Sequence, residues 1–234
     1  MKNFFIVLIL FFGYDAYSQT AEDYFERAYD KDENGDYYGA ISDLNKAIEL
    51  NPDYALAYLN RGFAKSNLKD HYGAISDYNK SIELDPDYPI AYNNRGLAKA
   101  ELEDHYGAIS DYNKVVELDP DDAMAYYNRG ISKDYLEDYY GAISDYTKAI
   151  ELNPDDPDVY NNRGIAKGEL KDYYGAISDF NKAIKIDSSY PNAYFGRGVI
   201  KALLENYNEA CQDARKAKEL GFDTAKELIE IVCQ

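Results

Sequence analysis

A period of 34 residues runs through almost the whole of this chain. The pair Arg-Gly recurs at 61–62, 95–96, 129–130, 163–164 and 197–198, and one further step back gives Arg27-Ala28. The hexapeptide YGAISD keeps the same spacing and begins at residues 38, 72, 106, 140 and 174. A fixed period of this length predicts a repeat architecture, because each unit can bury its apolar face only against its neighbours. The units are 21–54, 55–88, 89–122, 123–156, 157–190 and 191–224, followed by 225–234.

Each unit is predicted to contain two helices. In unit 55–88, small and apolar residues follow a period close to 3.6 in both halves, and Pro86 ends the second half. We expect Asp70 to cap the second helix of this unit and Asp87 to cap the first helix of the next. The glycine of each Arg-Gly pair lies inside a helix, where it costs about 1 kcal/mol relative to alanine. Its recurrence predicts that the two helices of a unit approach each other backbone to backbone.

The repeated unit resembles the tetratricopeptide repeat (TPR), a helix–turn–helix unit of 34 residues. In unit 123–156 the characteristic positions hold Tyr126, Gly130, Ala142, Tyr146, Ala149 and Pro154. The resemblance implies an all-α, right-handed superhelical solenoid of antiparallel helix pairs, closed by a C-terminal capping helix at 225–234.

One departure from the TPR pattern repeats in every unit. Arginine precedes the small residue, and an aspartate follows that arginine sixteen positions later, at Asp43, Asp77, Asp111, Asp145, Asp179 and Asp213. The constant spacing predicts an Arg–Asp salt bridge between the paired helices.

The first residues differ from the repeats. Lys2 is followed by an apolar run at 4–12, which is too short to span a bilayer as an ordinary helix. Small residues follow at Ala16 and Ser18. This pattern predicts a signal peptide at 1–18, cleaved near Ser18, and therefore a periplasmic or secreted protein. An uncleaved membrane anchor is the alternative. Beyond this segment we expect no membrane association.

The chain is strongly acidic, with a formal net charge of −18. Such a charge repels nucleic acid and favours a neutral or basic protein partner. Most of the 26 tyrosines fall at positions that we interpret as packing positions. The oligomeric state is left open.

The two cysteines, Cys211 and Cys233, lie equally far along the sequence from Phe222. Phe222 is in the predicted turn between the last two helices. Positions symmetric about the turn of an antiparallel hairpin lie side by side, so an exported chain is expected to join them in a disulfide. Two unpaired thiols in the core are the alternative.

Nothing in the sequence indicates catalysis, a cofactor or a metal. His71 and His105 take a position that other units fill with tyrosine, and motifs for nucleophilic or phosphate chemistry are missing. The segment 30–41 begins like an EF-hand calcium loop, but Ile41 stands where the loop requires a bidentate glutamate. We therefore expect a non-catalytic protein.

The TPR resemblance implies that the first helices line a concave groove. Its predicted lining contains no lysine or arginine, and asparagine recurs at one position in four units. Such an asparagine ladder could bond the backbone of an extended peptide, or it could be bonded within the scaffold. The lining residues are Leu59, Asn60, Phe63, Asn93, Asn94, Leu97, Tyr127, Asn128, Ile131, Asn161, Asn162 and Ile165, with Glu101, Tyr135 and Glu169 one turn beyond.

These observations predict a scaffold that binds a peptide segment or helix of a partner protein in the groove. The alternative is a structural or assembly subunit of a cell-envelope complex, which would use its convex face or its ends.

Overall fold

The computed structural model describes residues 19–233, so the predicted signal peptide at 1–18 lies outside the described residues. The described part forms thirteen α-helices and no strand. The helices are α1 (Ala21–Glu33), α2 (Tyr37–Leu50), α3 (Ala55–Asn67), α4 (His71–Leu84), α5 (Pro89–Glu101), α6 (His105–Leu118), α7 (Ala123–Tyr135), α8 (Tyr139–Leu152), α9 (Pro157–Glu169), α10 (Tyr173–Ile186), α11 (Pro191–Leu203), α12 (Tyr207–Glu219) and α13 (Ala225–Val232).

The helices form an all-α, right-handed superhelical solenoid of antiparallel pairs. The first twelve helices pair as α1 with α2 through α11 with α12, and each second helix packs against the first helix of the next pair. The first helices of neighbouring pairs also contact one another, and they therefore form a continuous inner face. Helix α13 closes the array against α11 and α12. Within 19–233, none of the helices has the length and apolar character that crossing a membrane requires.

The second helix of a pair begins at an aspartate cap. Asp70 Oδ1 accepts a hydrogen bond of 3.0 Å from Gly73 N, and the equivalent aspartates cap α2, α6, α8 and α10 in the same way. A Cβ at Gly73 would lie 2.1 Å from Asp70 Oδ2, which explains the glycine of YGAISD. The expected cap by Asp87 is wrong, because Tyr88 takes the cap position of α5 and makes no side-chain cap bond.

The core between paired helices is built from a glycine and an aromatic ring. A Cβ added at Gly96 would lie 2.7 Å from Cε1 of Tyr112, a ring of the second helix that is fully buried. The predicted close approach of the two backbones is seen at the equivalent Gly62, where an added Cβ would lie 3.2 Å from the backbone oxygen of Ala74, and the aromatic ring is a second close neighbour of the glycine. In the first pair the same two positions hold Ala28 and Leu44, both buried. The methyl group of the alanine thus occurs together with leucine, which is smaller than the aromatic ring of the later pairs.

Tyrosine occurs in two contrasting environments. Tyr78, Tyr112 and Tyr146 are buried between helices, as the packing interpretation requires. The first tyrosine of each YGAISD is 75–79% exposed instead, so these five residues are exceptions to the packing interpretation. The exposed row consists of Tyr38, Tyr72, Tyr106, Tyr140 and Tyr174.

A disulfide connects the last two helices. Cys211 on α12 and Cys233, at the end of α13, are joined with a Cα–Cα distance of 5.1 Å. Among residues 19–233 no cysteine is free. The bond holds α13 against α12, where Leu228 and Val232 pack on the buried Ala210 and Ala214.

The contact between Gly96 and Tyr112 yields a testable prediction. Gly96→Ala should lower the free energy of unfolding by about 1–3 kcal/mol, because the new methyl group overlaps the buried ring. Tyr112→Leu added to Gly96→Ala should recover part of that loss, since Ala28 and Leu44 coexist in the first pair. Urea titration monitored by circular dichroism measures both effects.

Gly168→Ala is the matched control, because its methyl group would meet only Cδ1 of Ile200, at 3.0 Å. We expect it to change stability much less than Gly96→Ala. An unchanged unfolding midpoint for Gly96→Ala would contradict the described packing.

Candidate functional site

Each first helix is fixed to its partner by a cluster of three charges. In the second pair, Arg61 donates from Nε to Asp77 Oδ2 at 2.9 Å and from Nη2 to Asp77 Oδ1 at 2.6 Å. Lys65, one turn later, lies with Nζ 2.7 Å from Asp77 Oδ2. The aspartate is buried, so its charge is compensated on both oxygens.

The arginine also reaches the preceding pair. Arg95 donates from Nη1 to Asn79 Oδ1 at 2.7 Å, and its guanidinium lies 5.4 Å from the ring centre of Tyr92. One side chain therefore connects three helices and sets the face that each first helix turns to the groove. The predicted Arg–Asp bridge is confirmed in all six pairs, at Arg27, Arg61, Arg95, Arg129, Arg163 and Arg197.

The predicted lining residues differ in exposure. Phe63, Leu97 and Ile165 are 42–43% exposed and present apolar surface. Leu59 and Asn161 are buried, at 5% and 4% exposure, and contribute mainly to packing. The others are partly buried, namely Asn60, Asn93, Asn94, Tyr127, Asn128, Ile131 and Asn162.

Hydrogen bonds between side chains run from one unit to the next along the asparagine positions. Asn128 Nδ2 donates to Asn93 Oδ1 at 3.3 Å, and Asn162 Nδ2 donates to the hydroxyl of Tyr127 at 3.1 Å. Asn94 Oδ1 accepts from Asn93 at 3.4 Å. Bonding within the scaffold thus occurs at three of the four ladder positions. It leaves each amide with donors or acceptors to spare, because a carboxamide has two N–H donors and an acceptor oxygen.

Four cavities follow one another along the inner face, each between the first helices of adjacent units. Cavity A, of about 280 Å³, joins Phe63, Asn94 and Leu97. Cavity B, of about 420 Å³, joins Leu97, Asn128 and Ile131. Cavity C, of about 390 Å³, joins Ile131, Asn162 and Ile165. Cavity D, of about 590 Å³, joins Asn161 and Ile165 to residues of α11.

Cavity D has the most apolar walls among these cavities. Phe180, Phe195, Val199, Leu203 and Phe222 contribute to them. Gly196 takes the place that asparagine has in the four preceding units, and a Cβ there would lie 2.6 Å from Cζ of Phe180. The groove therefore changes from amide-lined to aromatic towards its C-terminal end.

Family comparisons agree with this architecture. The model of the tetratricopeptide repeat matches residues 89–122, 123–156 and 157–190, and a second TPR model matches 33–69 and 67–103. The chain belongs to the tetratricopeptide repeat family.

Solved structures share the TPR fold. A MamA protein is 25% identical in sequence, with a TM-score of 0.69 over 73% of this chain and 93% of that one. YrrB, described as a TPR protein with an unusual peptide-binding site, is 26% identical, with a TM-score of 0.66 over 77% and 93%. Pseudomonas aeruginosa pilF is 17% identical, with a TM-score of 0.73 over 86% and 91%, which shows the fold alone. No curated protein matches the chain in sequence.

The TPR repeat is typically a non-catalytic interaction unit, and the comparisons indicate no enzyme family. Asp30 and Asp32 belong to helix α1 rather than to a calcium-binding loop. In the part of the chain that the structure describes, no group of three or more His, Cys, Asp or Glu side chains is placed to hold a metal ion.

Sequence reasoning missed one groove residue with unusual electrostatics. Asp134 lines cavity C, and its Oδ1 is buried without a hydrogen-bond partner among the described residues. Burial, followed by the charge of Glu169, raises the pKa of this carboxyl to about 6. Together with Glu169, which the sequence placed one turn beyond the lining, Asp134 makes cavity C acidic. A comparison of the repeats could have found Asp134, because the equivalent residues in the two adjacent units are the small residues Ala100 and Gly168.

The raised pKa of Asp134 predicts how stability depends on pH. Between about pH 4 and pH 6 the folded chain holds the Asp134 proton more tightly than the unfolded chain, so this residue makes stability fall as pH rises. Asp134→Asn cannot ionise and should raise the melting temperature at pH 7 by about 2–4 °C, as expected for about 1 kcal/mol in a chain of this size. The gain should disappear near pH 4.

Thermal melts of both proteins between pH 4 and pH 7 measure this difference. Glu137→Gln, which removes an exposed carboxylate from the adjacent turn, serves as the control and should leave the melting temperature nearly unchanged. A destabilised Asp134→Asn at pH 7 would contradict the burial of an uncompensated carboxylate.

Proposed function

We propose that this protein is a non-catalytic interaction scaffold of six repeat units, whose concave groove holds an extended segment of a partner protein. The observation that carries the proposal is the row of cavities A to D, which follow one another at each junction between first helices from the second unit to the sixth. A peptide in extended conformation can place alternate side chains into such a row.

The groove offers two kinds of contact for that segment. Phe63, Leu97 and Ile165 supply exposed apolar area that binding would cover. The remaining amide donors and acceptors of Asn60, Asn94, Asn128 and Asn162 are available to bond the peptide backbone. YrrB, which shares the fold and 26% of the sequence, is described as having a peptide-binding site, and this supports a peptide as the ligand.

Other features support the proposed location and the proposed charge of the partner. The Cys211–Cys233 disulfide fits an oxidising compartment, which supports export by the predicted signal peptide at 1–18. The net charge of −18 favours a neutral or basic partner and disfavours nucleic acid.

Two triple variants test whether the groove binds the partner. Phe63→Ser, Leu97→Ser and Ile165→Ser together remove the apolar contacts of the groove. Tyr72→Ser, Tyr106→Ser and Tyr174→Ser together form the matched control on the exposed tyrosine row, which lies on the second helices. The mature protein and both variants are used as baits against cell-envelope and medium fractions, after circular dichroism has shown equal helix content.

We expect the groove variant to lose at least about tenfold in affinity for the captured partner, because three apolar side chains no longer contribute buried area. The tyrosine variant should bind as the parent does. Equal binding by the parent and the groove variant would contradict the proposal.

The exposed tyrosine row favours a second candidate function. Five aromatic side chains at equivalent positions form a repeated surface on the second helices, outside the groove. Aromatic residues are enriched where protein partners meet, so this row suits an assembly subunit of an envelope complex. Loss of binding in the tyrosine variant alone would support this function instead.

A further inference from the structure

Cavity C combines two carboxylates, one of them partly buried, with three tyrosines. Cavity B also has two carboxylates beside aromatic rings, but both of these residues, Glu101 and Glu103, are exposed. Cavity C lies between α7 and α9 and has the hydroxyphenyl groups of Tyr135, Tyr139 and Tyr146 in its walls. The carboxylates of Asp134 and Glu169 also line it. Cavity D shares Glu169 but contains Gly168 and Leu203, the equivalents in the next unit of Asp134 and Glu169.

Two polar groups in cavity C are buried and make no hydrogen bond within residues 19–233. One is Oδ1 of Asp134, and the other is the hydroxyl of Tyr146, whose side chain is fully buried. Buried polar atoms are nearly always bonded in native proteins, so two such atoms in one cavity indicate a ligand that bonds both. Burial also raises the pKa of the Tyr146 hydroxyl, which therefore stays neutral and can accept or donate a bond.

The charged side chains that line cavity C are all acidic. Desolvation and then the charges of Glu169, Glu137 and Asp134 raise the pKa of Tyr139, in agreement with the carboxylates that line the cavity. The lysines of the two flanking helices do not neutralise it. Lys133 lies 2.7 Å from Asp145, and Lys167 lies 2.7 Å from Asp179, so both belong to the repeated charge clusters.

The acidic pair is not a requirement of the repeat. The equivalents of Asp134 are Ser66, Ala100, Gly168 and Ala202 in four other units. Asp32 is the equivalent in the first unit, but there the position of Glu169 in the following unit is held by Asn67. Cavity C is thus the junction where the positions of Asp134 and Glu169 both hold a carboxylate. If this position served packing alone, alanine would suffice there, as Ala100 does in the preceding unit.

We propose that cavity C binds the cationic side chain, lysine or arginine, of the segment that occupies the groove. An ammonium or guanidinium group has enough donors for Asp134, Glu169 and the Tyr146 hydroxyl. The rings of Tyr139 and of Tyr135, one face of which stacks on His105 with ring centres 4.6 Å apart, also line the cavity and attract a cation. The inference rests on the proposed groove function and adds the chemistry of one side chain in the partner.

Four peptide pools of defined composition test this site. Each pool contains nonapeptides with a neutral fluorophore at the N terminus and an amidated C terminus. The central residue is lysine, arginine, norleucine or glutamate, and all other positions are drawn from uncharged amino acids. Fluorescence anisotropy measures their binding to the mature protein. Two variants are compared with it, Asp134→Asn with Glu169→Gln, and the surface control Glu83→Gln with Glu117→Gln.

The surface control removes the same charge from exposed i,i+3 pairs with Lys80 and Lys114, so it separates general attraction by an acidic protein from binding in cavity C. We expect the parent and the surface control to bind the lysine and arginine pools about tenfold or more tightly than the norleucine pool. In Asp134→Asn with Glu169→Gln this preference should vanish, while the affinity for the norleucine pool stays within about twofold of the parent.

Equal binding of cationic and norleucine pools by the parent would overturn this inference and leave the groove proposal intact. A preference for cations that persists in Asp134→Asn with Glu169→Gln would overturn it as well, since the attraction would then come from elsewhere. Failure of every pool to bind would overturn the groove proposal together with this inference.

Discussion

A buried aspartate held by an arginine and a lysine is the interaction on which the rest of the solenoid depends. In each pair the aspartate lies on the second helix and both cations on the first, so the cluster fixes the rotation of one helix about the other. The arginine of the later pairs also reaches the second helix of the preceding pair, as Arg129 does by donating to Asn113 at 2.8 Å. A buried ion pair adds little stability when compared with well-packed apolar residues, but it allows few alternative arrangements. We interpret the cluster as the device that keeps every first helix turned to the groove.

This constraint leaves the inner face free to vary. The charge cluster recurs in all six pairs and the glycine–ring contact in four of them, whereas the residues at 66, 100, 134, 168 and 202 are Ser, Ala, Asp, Gly and Ala. The first four of these residues line cavities A, B, C and D in turn, so each of these junctions acquires its own chemistry on one common frame. Acidic cavity C and apolar cavity D are neighbours for this reason. Asp134, with a carboxyl pKa raised by burial, shows that this variation has a cost in stability at neutral pH.

Sequence reasoning succeeded where the determinant recurs with the period. The 34-residue repeat predicts the helix pairs, and the sixteen-residue interval between Arg61 and Asp77 predicts their bridge, because both depend on local geometry that is the same in every unit. It failed where the determinant is the packing of one unit on the next. Leu59 and Asn161 are buried by that packing, and Asp134 enters a cavity that exists only between two units. The interpretation of most tyrosines as packing residues did not separate the exposed row of YGAISD, because composition does not reveal which face of a helix is covered.

A double-mutant cycle on Arg129 and Asp145 tests the central claim most directly. Stabilities are measured by urea titration for the parent, Arg129→Ala, Asp145→Ala and the double variant, beside an identical cycle on the exposed pair Lys80 and Glu83. We predict a coupling energy of about 1–3 kcal/mol between Arg129 and Asp145. The exposed pair should show no resolvable coupling. Independent, additive losses at Arg129 and Asp145 would contradict the claim that this bridge orients the helices of the solenoid.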